Sequence, residues 1–130
     1  MSVLDASVVI DALVSAGTDG GTARARVAGL DLLPAPHLLD VEVLSALRRL
    51  VRTGDVALTV ARRARVAFAD LPIDRYPLAP FEARVWELRD EVSSYDGWYV
   101  ALAEALGTEL VTADARLRRA IGARCPVVAP

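Results

Sequence analysis

Apolar positions along this chain recur with two spacings. Trp98, Ala101, Leu102, Ala105 and Leu106 stand at i, i+3, i+4, i+7 and i+8, which predicts a helix packed on one face, with Gly107 as its stop. Leu39, Val43, Leu47, Leu50 and Val51 predict a longer helix from about Leu38 to Thr53, ended by Gly54, and Phe81, Val85, Leu88 and Val92 predict another over that stretch. Apolar runs too short for helices read as buried strands: Ser2 to Asp5, Leu30 to Leu33 closed by Pro34 and Pro36, Leu110 with Val111, and Val127 with Val128. Leu71 to Leu78 reads as an edge strand that cannot extend past Pro77. Ser7 is placed to cap a helix bearing Val8, Val9, Leu13 and Val14; Asp55 to cap one from Val56 to Ala69; and Ser93 or Ser94 to open the helix that holds Asp96. Ser15 to Gly21, with Gly17, Gly20 and Gly21, reads as a flexible loop before a short arginine-bearing helix around Thr22 to Ala28. A short basic helix, Leu117 to Ile121, precedes the last strand.

Strands alternating with helices make the expected fold class α/β, a mostly parallel central sheet of four to five strands flanked by helices. A chain of 130 residues, 54% of them hydrophobic, buries one sizeable core, so one domain spanning residues 1–130 is expected. All 15 positive side chains are arginine, which excludes a P-loop lysine and Schiff-base chemistry. Cys125 is the only cysteine, so neither an intramolecular disulfide nor a thiolate zinc site forms from one chain, and a cytoplasmic setting is expected. The first residues lack a basic region, and charges interrupt every apolar run before about 18 residues, so neither export nor a membrane span is expected.

In open α/β sheets, strand carboxyl ends and helix amino ends open on one crevice. Four carboxylates fall at such points: Asp5 after the first strand, Glu42 in early helical turns, Asp96 in a first turn and Asp114 after the Leu110–Val111 strand. Singly, each has a plain structural role: Asp5 and Asp114 as caps, Asp96 as a partner of the helix macrodipole, Glu42 as a solvated charge. Gathered in one crevice they repel one another, and a divalent cation removes the conflict. Oxygen donors without histidine or cysteine suit Mg²⁺ or Mn²⁺, which keep several waters and bridge to phosphate, so a phosphodiester is the expected substrate. Ser7 and Thr112, beside two of the acids, are candidates to orient them. His37, the only histidine, is not needed as a base on a metal route and reads as a capping or surface residue.

At these residues the chain resembles the PIN-domain ribonucleases, most closely the VapC toxins of bacterial toxin–antitoxin pairs. The resemblance rests on Asp5-Ala6-Ser7 with its apolar helix, on Glu42-Val43 inside a leucine-rich helix, on Tyr95-Asp96-x-x-Tyr99 followed by Ala101-Leu102-Ala103, and on Leu110-Val111-Thr112-Ala113-Asp114. It implies a PIN-like three-layer fold and endonucleolytic cleavage of RNA, with Mg²⁺ or Mn²⁺ held by Asp5, Glu42, Asp96 and Asp114. It also implies a homodimer and an inhibitory VapB-type antitoxin. Gly97 stands where alanine is more usual in the family.

Setting aside the four acids moves the formal charge from −2 to +2, so RNA is compatible with an acidic chain. Arg48, Arg49 and Arg52, or Arg116, Arg118 and Arg119, are the candidates for phosphate contact, and Tyr95, Trp98 and Tyr99 for base stacking, with Trp98 drawn to the core by the helical stripe. A signalling receiver domain also gathers acids around Mg²⁺ but uses a lysine, which this chain lacks. A haloacid-dehalogenase phosphatase wants a second aspartate where Ser7 stands. A PIN-like module that binds RNA or protein without cutting keeps the fold and drops the chemistry, and the presence of all four acids argues against it.

Overall fold

Strand alternation sorts the core into two clusters, one on each side of a parallel sheet. In the computed structural model, which describes residues 1–120 and 122–130, the first strand β1 (Ser2–Leu4) pairs in parallel with β4 (Glu109–Val111), which pairs in parallel with β5 (Val127–Val128). Val3 and Leu110 point to one face and Leu4 and Val111 to the other, as the period of two requires. On the Leu4 face lie α1 (Ala6–Val14), α3 (Leu38–Thr53) and α4 (Leu58–Ala69), contributing Val8, Val9, Leu39, Val43, Leu47 and Phe68. On the Val3 face lies α6 (Ser94–Ala105), with Tyr99, Val100, Leu102 and Ala103. Helix, sheet and helix form three layers, the α/β class expected.

The sheet departs from expectation at its second strand. β2 spans Leu33–Pro36 rather than Leu30 to Leu33, so both prolines lie inside it, and it pairs in parallel only with β3 (Ile73–Tyr76). The N–H groups of Leu33 and His37 reach Pro72 and Tyr76 carbonyls at 2.9 and 3.0 Å. By the alternation of the strand Ala35 faces β3 as well, and Pro34 and Pro36 face the opposite edge, where they have no N–H to offer. β1 packs on that edge without a shared ladder, and the five strands form a three-stranded set, β1-β4-β5, and a two-stranded set, β2-β3.

Helix boundaries differ for local reasons. The glycine segment is no loop: α2 runs Gly17–Ala28, because Ala23 and Val27 pack into the Leu4-face core and that burial outweighs glycine's poor helix propensity. Gly20 is there for proximity, since a Cβ on it would lie 1.9 Å from the Ser15 carbonyl oxygen. Asp55 caps nothing; α4 starts after Ala57 without a side-chain cap, and Asp55 accepts from the Thr53 hydroxyl at 2.6 Å instead. The helix expected over Phe81 to Val92 is a 3₁₀ turn, Ala79–Phe81, then α5 (Glu82–Glu87), after which the chain tightens into turns. The last short helix, α7, spans Ala115–Arg118; Ile121, its expected end, lies outside the described residues.

Gly54 and Gly107 end α3 and α6 as expected, at φ of 79° and 64°, where a side chain is strained. The buried face of α6 is rotated from the predicted stripe. Gly97, Tyr99, Val100, Ala101, Leu102 and Ala103 are buried, while Trp98 is half-buried and Ala105 exposed, because α6 is covered by α5 as well as by β1, β2 and β4. Among the described residues no helix is long and apolar enough to cross a membrane.

The close approach at Gly20 is testable against its neighbour. Gly20→Ala should cost about 1–3 kcal/mol because α2 must shift away from Ser15, whereas Gly21→Ala, with nothing within 4 Å of its Cβ, should stabilise the helix by roughly 0.5–1 kcal/mol. Urea denaturation of both variants checks the pair.

Candidate active site

The site starts where β1 hands the chain to α1. Asp5 still belongs to the ladder through its N–H, 3.1 Å from the Val111 carbonyl, yet its side chain already caps α1 by accepting from the Val8 N–H at 3.3 Å. The expected cap, Ser7, is instead inside the first turn, and its hydroxyl donates to Asp5 Oδ1. The Thr112 hydroxyl donates to Asp5 Oδ2. Both hydroxyls accept in turn from the loop after β4: Ser7 Oγ from the Ala113 N–H at 3.1 Å and Thr112 Oγ1 from the Asp114 N–H at 3.0 Å. Asp5, 7% exposed, and Thr112, 0% exposed, are the buried polar residues among those described, and they are buried against each other. The predicted orienting role of Ser7 and Thr112 converges on this one carboxylate.

Glu42 projects from the second turn of α3, half-buried, and Tyr99 Oη donates to its Oε1 at 2.9 Å. Tyr99 is 1% exposed, so it is no stacking platform for bases; it is the partner that Glu42 needs. The sequence carried that signal, since Tyr99 follows Asp96 at i+3 on one helix face and a buried tyrosine hydroxyl seeks an acceptor. Asp96 sits in the first turn of α6, its N–H bonded to the Ser93 hydroxyl at 3.1 Å, which makes Ser93 the cap. Asp114 caps α7, accepting from the Arg116 N–H at 2.8 Å. The plain capping roles of Asp5 and Asp114 are therefore real and coexist with their place in the crevice. His37 is exposed and makes no side-chain capping bond.

The acids act on one another. Burial pushes the Asp5 carboxyl above its usual range, opposed by the bonds from Ser7, Thr112 and the Val8 N–H and reinforced by the charge of Asp96. Glu42 is raised by burial and by the charges of Asp5 and Asp96, against the Tyr99 hydrogen bond. Asp96 is raised by burial and by the charge of Asp114. Tyr99 is pushed far up, by burial first and then by Glu42. Asp114 alone is lowered, chiefly by the Arg116 N–H, and the Arg116 guanidinium lies 3.7 Å away. The backbone thus brings all four predicted acids into electrostatic contact, three of them desolvated. Among the described residues, no three His, Cys, Asp or Glu side chains converge closely enough, as they stand, to hold an ion.

Residues 2–122 match the family model described as PIN domain. The chain is 42% identical over 127 residues to Ribonuclease VapC9 of Mycobacterium tuberculosis, covering 98% of this chain and 96% of that protein. It is 41% identical to Ribonuclease VapC1 of the same species, covering 96% and 94%. Among solved structures, PAE2754 from Pyrobaculum aerophilum shares the fold with a TM-score of 0.71 at 21% identity, covering 98% of this chain and 82% of that one.

The raised carboxyls have a consequence for stability. A carboxyl that holds its proton more tightly folded than unfolded favours the folded state while protonated and loses that advantage as pH rises through its folded value. In metal-free buffer, Glu42→Gln should therefore be more thermostable than the parent at pH 7–8, with the difference shrinking as pH falls and Glu42 takes up its proton; thermal unfolding from pH 8 to pH 4 measures it. A difference that does not depend on pH would mean that folding does not raise the Glu42 carboxyl.

Proposed function

The chain belongs to the PIN-domain family and, within it, to the VapC ribonucleases, and from that premise we propose that it is a Mg²⁺- or Mn²⁺-dependent endoribonuclease acting as the toxin of a VapB–VapC pair. The observation that carries this reading is the desolvated, mutually repelling set Asp5, Glu42 and Asp96, with Asp114 beside it. The residues fit a hard divalent cation: the donors are carboxylate oxygens only, and the repulsion they sustain is of the kind that a double positive charge cancels. Asp5, Glu42, Asp96 and Asp114 are the proposed ligands.

Each residue has a definite task in this scheme. Ser7 and Thr112 hold Asp5 from behind, one on each oxygen; Oδ1 also accepts from the Val8 N–H, so Oδ2 is the oxygen that keeps a lone pair for a cation. Tyr99 fixes Glu42 through Oε1, so Oε2 is the oxygen that would meet an ion. Asp96, in the first turn of α6, and Asp114, the cap of α7, complete the set, with Asp114 the one whose carboxyl is lowered rather than raised. A bound ion supplies a polarised phosphoryl oxygen and a water of lowered pKa. The chain itself presents the donors preorganised, so their desolvation is met on folding rather than during turnover.

Residues 1–130 as one PIN domain, a homodimer, a VapB-type antitoxin as inhibitory partner and a cytoplasmic setting complete the proposal, supported by the near full-length similarity to VapC proteins. A second reading, a PIN-like module that binds RNA or protein without cutting, draws its support from the incomplete convergence of the acids as they stand.

Cleavage of structured RNAs by the purified, partner-free chain in Mg²⁺ or Mn²⁺, followed on gels, separates the two. The nuclease reading expects Asp5→Asn and Asp96→Asn to lower cleavage by about 100-fold or more with unchanged circular dichroism. RNA left whole by the parent chain in both metals makes the non-cutting module the better account.

A further inference from the structure

Charge is unevenly distributed over this molecule. Between Val43 and Ala69, six arginines (Arg48, Arg49, Arg52, Arg62, Arg63 and Arg65) stand against one acid, Asp55, a local formal charge of +5 in a chain whose total is −2. All six lie on α3 and α4, all are exposed, and among the described residues none takes part in an ion pair. Arginines elsewhere are mostly held: Arg26 by Glu109, Arg75 by Asp40 and Arg84 by Glu104, while Arg118 donates to the Thr112 carbonyl at 3.0 Å. Unpaired positive charge concentrated on one hairpin repels itself and is matched by a polyanion.

The arginines of α3 are also connected to the acid crevice. Glu42 and Arg49 are seven residues apart on one helix, hence on one side of it and roughly 10 Å apart along its axis. Arg49 lines a cleft with Ser7, whose hydroxyl touches Asp5, and among the described residues is the one arginine there beside the acids Asp11, Asp19 and Asp55. It lines a second concavity with Ser45, Arg48, Arg52 and Thr53. Arg49 borders both, with Ser7 of the acid site on one side and Arg48 and Arg52 on the other.

We propose that Arg48, Arg49 and Arg52 form a phosphodiester-binding track that carries the substrate RNA strand away from the acid crevice along α3, with the arginines of α4 adding to the attracting field. The proposal rests on the nuclease reading. It favours the α3 cluster over the other that the sequence left open, because Arg118 is held by the Thr112 carbonyl and Arg116 lies 3.7 Å from Asp114, whereas all three arginines of α3 are without an ion pair among the described residues. Guanidinium forks on a concave surface match phosphate oxygens without reading bases, so the track binds RNA backbone of any sequence. An acidic helical peptide would use the hairpin differently. The apolar groove lined by Leu44, Leu47, Val51 and Leu58 is edged by Arg48, Arg52 and Arg65, and Arg49 is not part of it.

Binding of a labelled single-stranded RNA, kept whole by Asp5→Asn or by EDTA with the parent acids, tests the track without using turnover. Removing three phosphate contacts should lower the slope of log affinity against log salt by about 2. The triple variant Arg48→Gln, Arg49→Gln, Arg52→Gln should show that loss and at least about tenfold weaker binding near 0.1 M salt. The equally charged control Arg24→Gln, Arg89→Gln, Arg124→Gln should change both far less. Equal effects of the two triples would mean bulk charge alone and would overturn the track. So would an effect carried by Arg65→Gln while Arg49→Gln is silent, which places the RNA along the α4 groove instead. A parent chain that cuts RNA while the α3 triple binds it unchanged removes the track and leaves the nuclease reading standing; one that neither cuts nor binds removes both.

Discussion

A carboxylate taken out of water at the end of a strand is the constraint around which the rest of this molecule is built. Asp5 is 7% exposed, with no arginine within ion-pairing reach among the described residues. What keeps it there is a pair of hydroxyls, Ser7 and Thr112, each polarised by a backbone N–H from the loop after β4. Those bonds tie the ends of β1 and β4 together, so the register of the central strand pair and the position of the acid are set by the same contacts. Neutral donors offset only part of the desolvation of a charge. The remainder, raised by Asp96 and shared with Glu42, is what a cation would relieve.

The same segregation extends across the surface. Acids gather where helix amino ends and strand carboxyl ends meet, and unpaired arginines gather on the α3–α4 hairpin, with Glu42 and Arg49 on one helix joining the two regions. A net charge of −2 conceals both. A polyanion approaching such a surface is attracted by the hairpin and repelled by the acids alone, so in the proposed scheme a metal and the basic track would act on the same strand.

Much of this was legible in the sequence where the signal was local. The helices Leu38–Thr53 and Ser94–Ala105, their glycine stops and the four acids at element ends follow from periodicity and capping chemistry. What was not legible depended on tertiary contact. The glycines of α2 look like a loop until Ala23 is seen in the core and Gly20 against Ser15. Pro34 and Pro36 look like the end of a strand until the sheet is seen to need no donor on that edge. Tyr99 was read as a possible base contact because sequence does not reveal which face of α6 is covered, and its bond to Glu42 crosses 57 positions of chain.

The most direct measurement is where a divalent ion goes. Crystals soaked in Mn²⁺ and examined by anomalous scattering should place the ion against carboxylate oxygens of Asp5 and at least one of Glu42, Asp96 and Asp114, at about 2.0–2.2 Å. Manganese found only elsewhere on the surface, or absent from the crevice at millimolar concentration, would contradict the account.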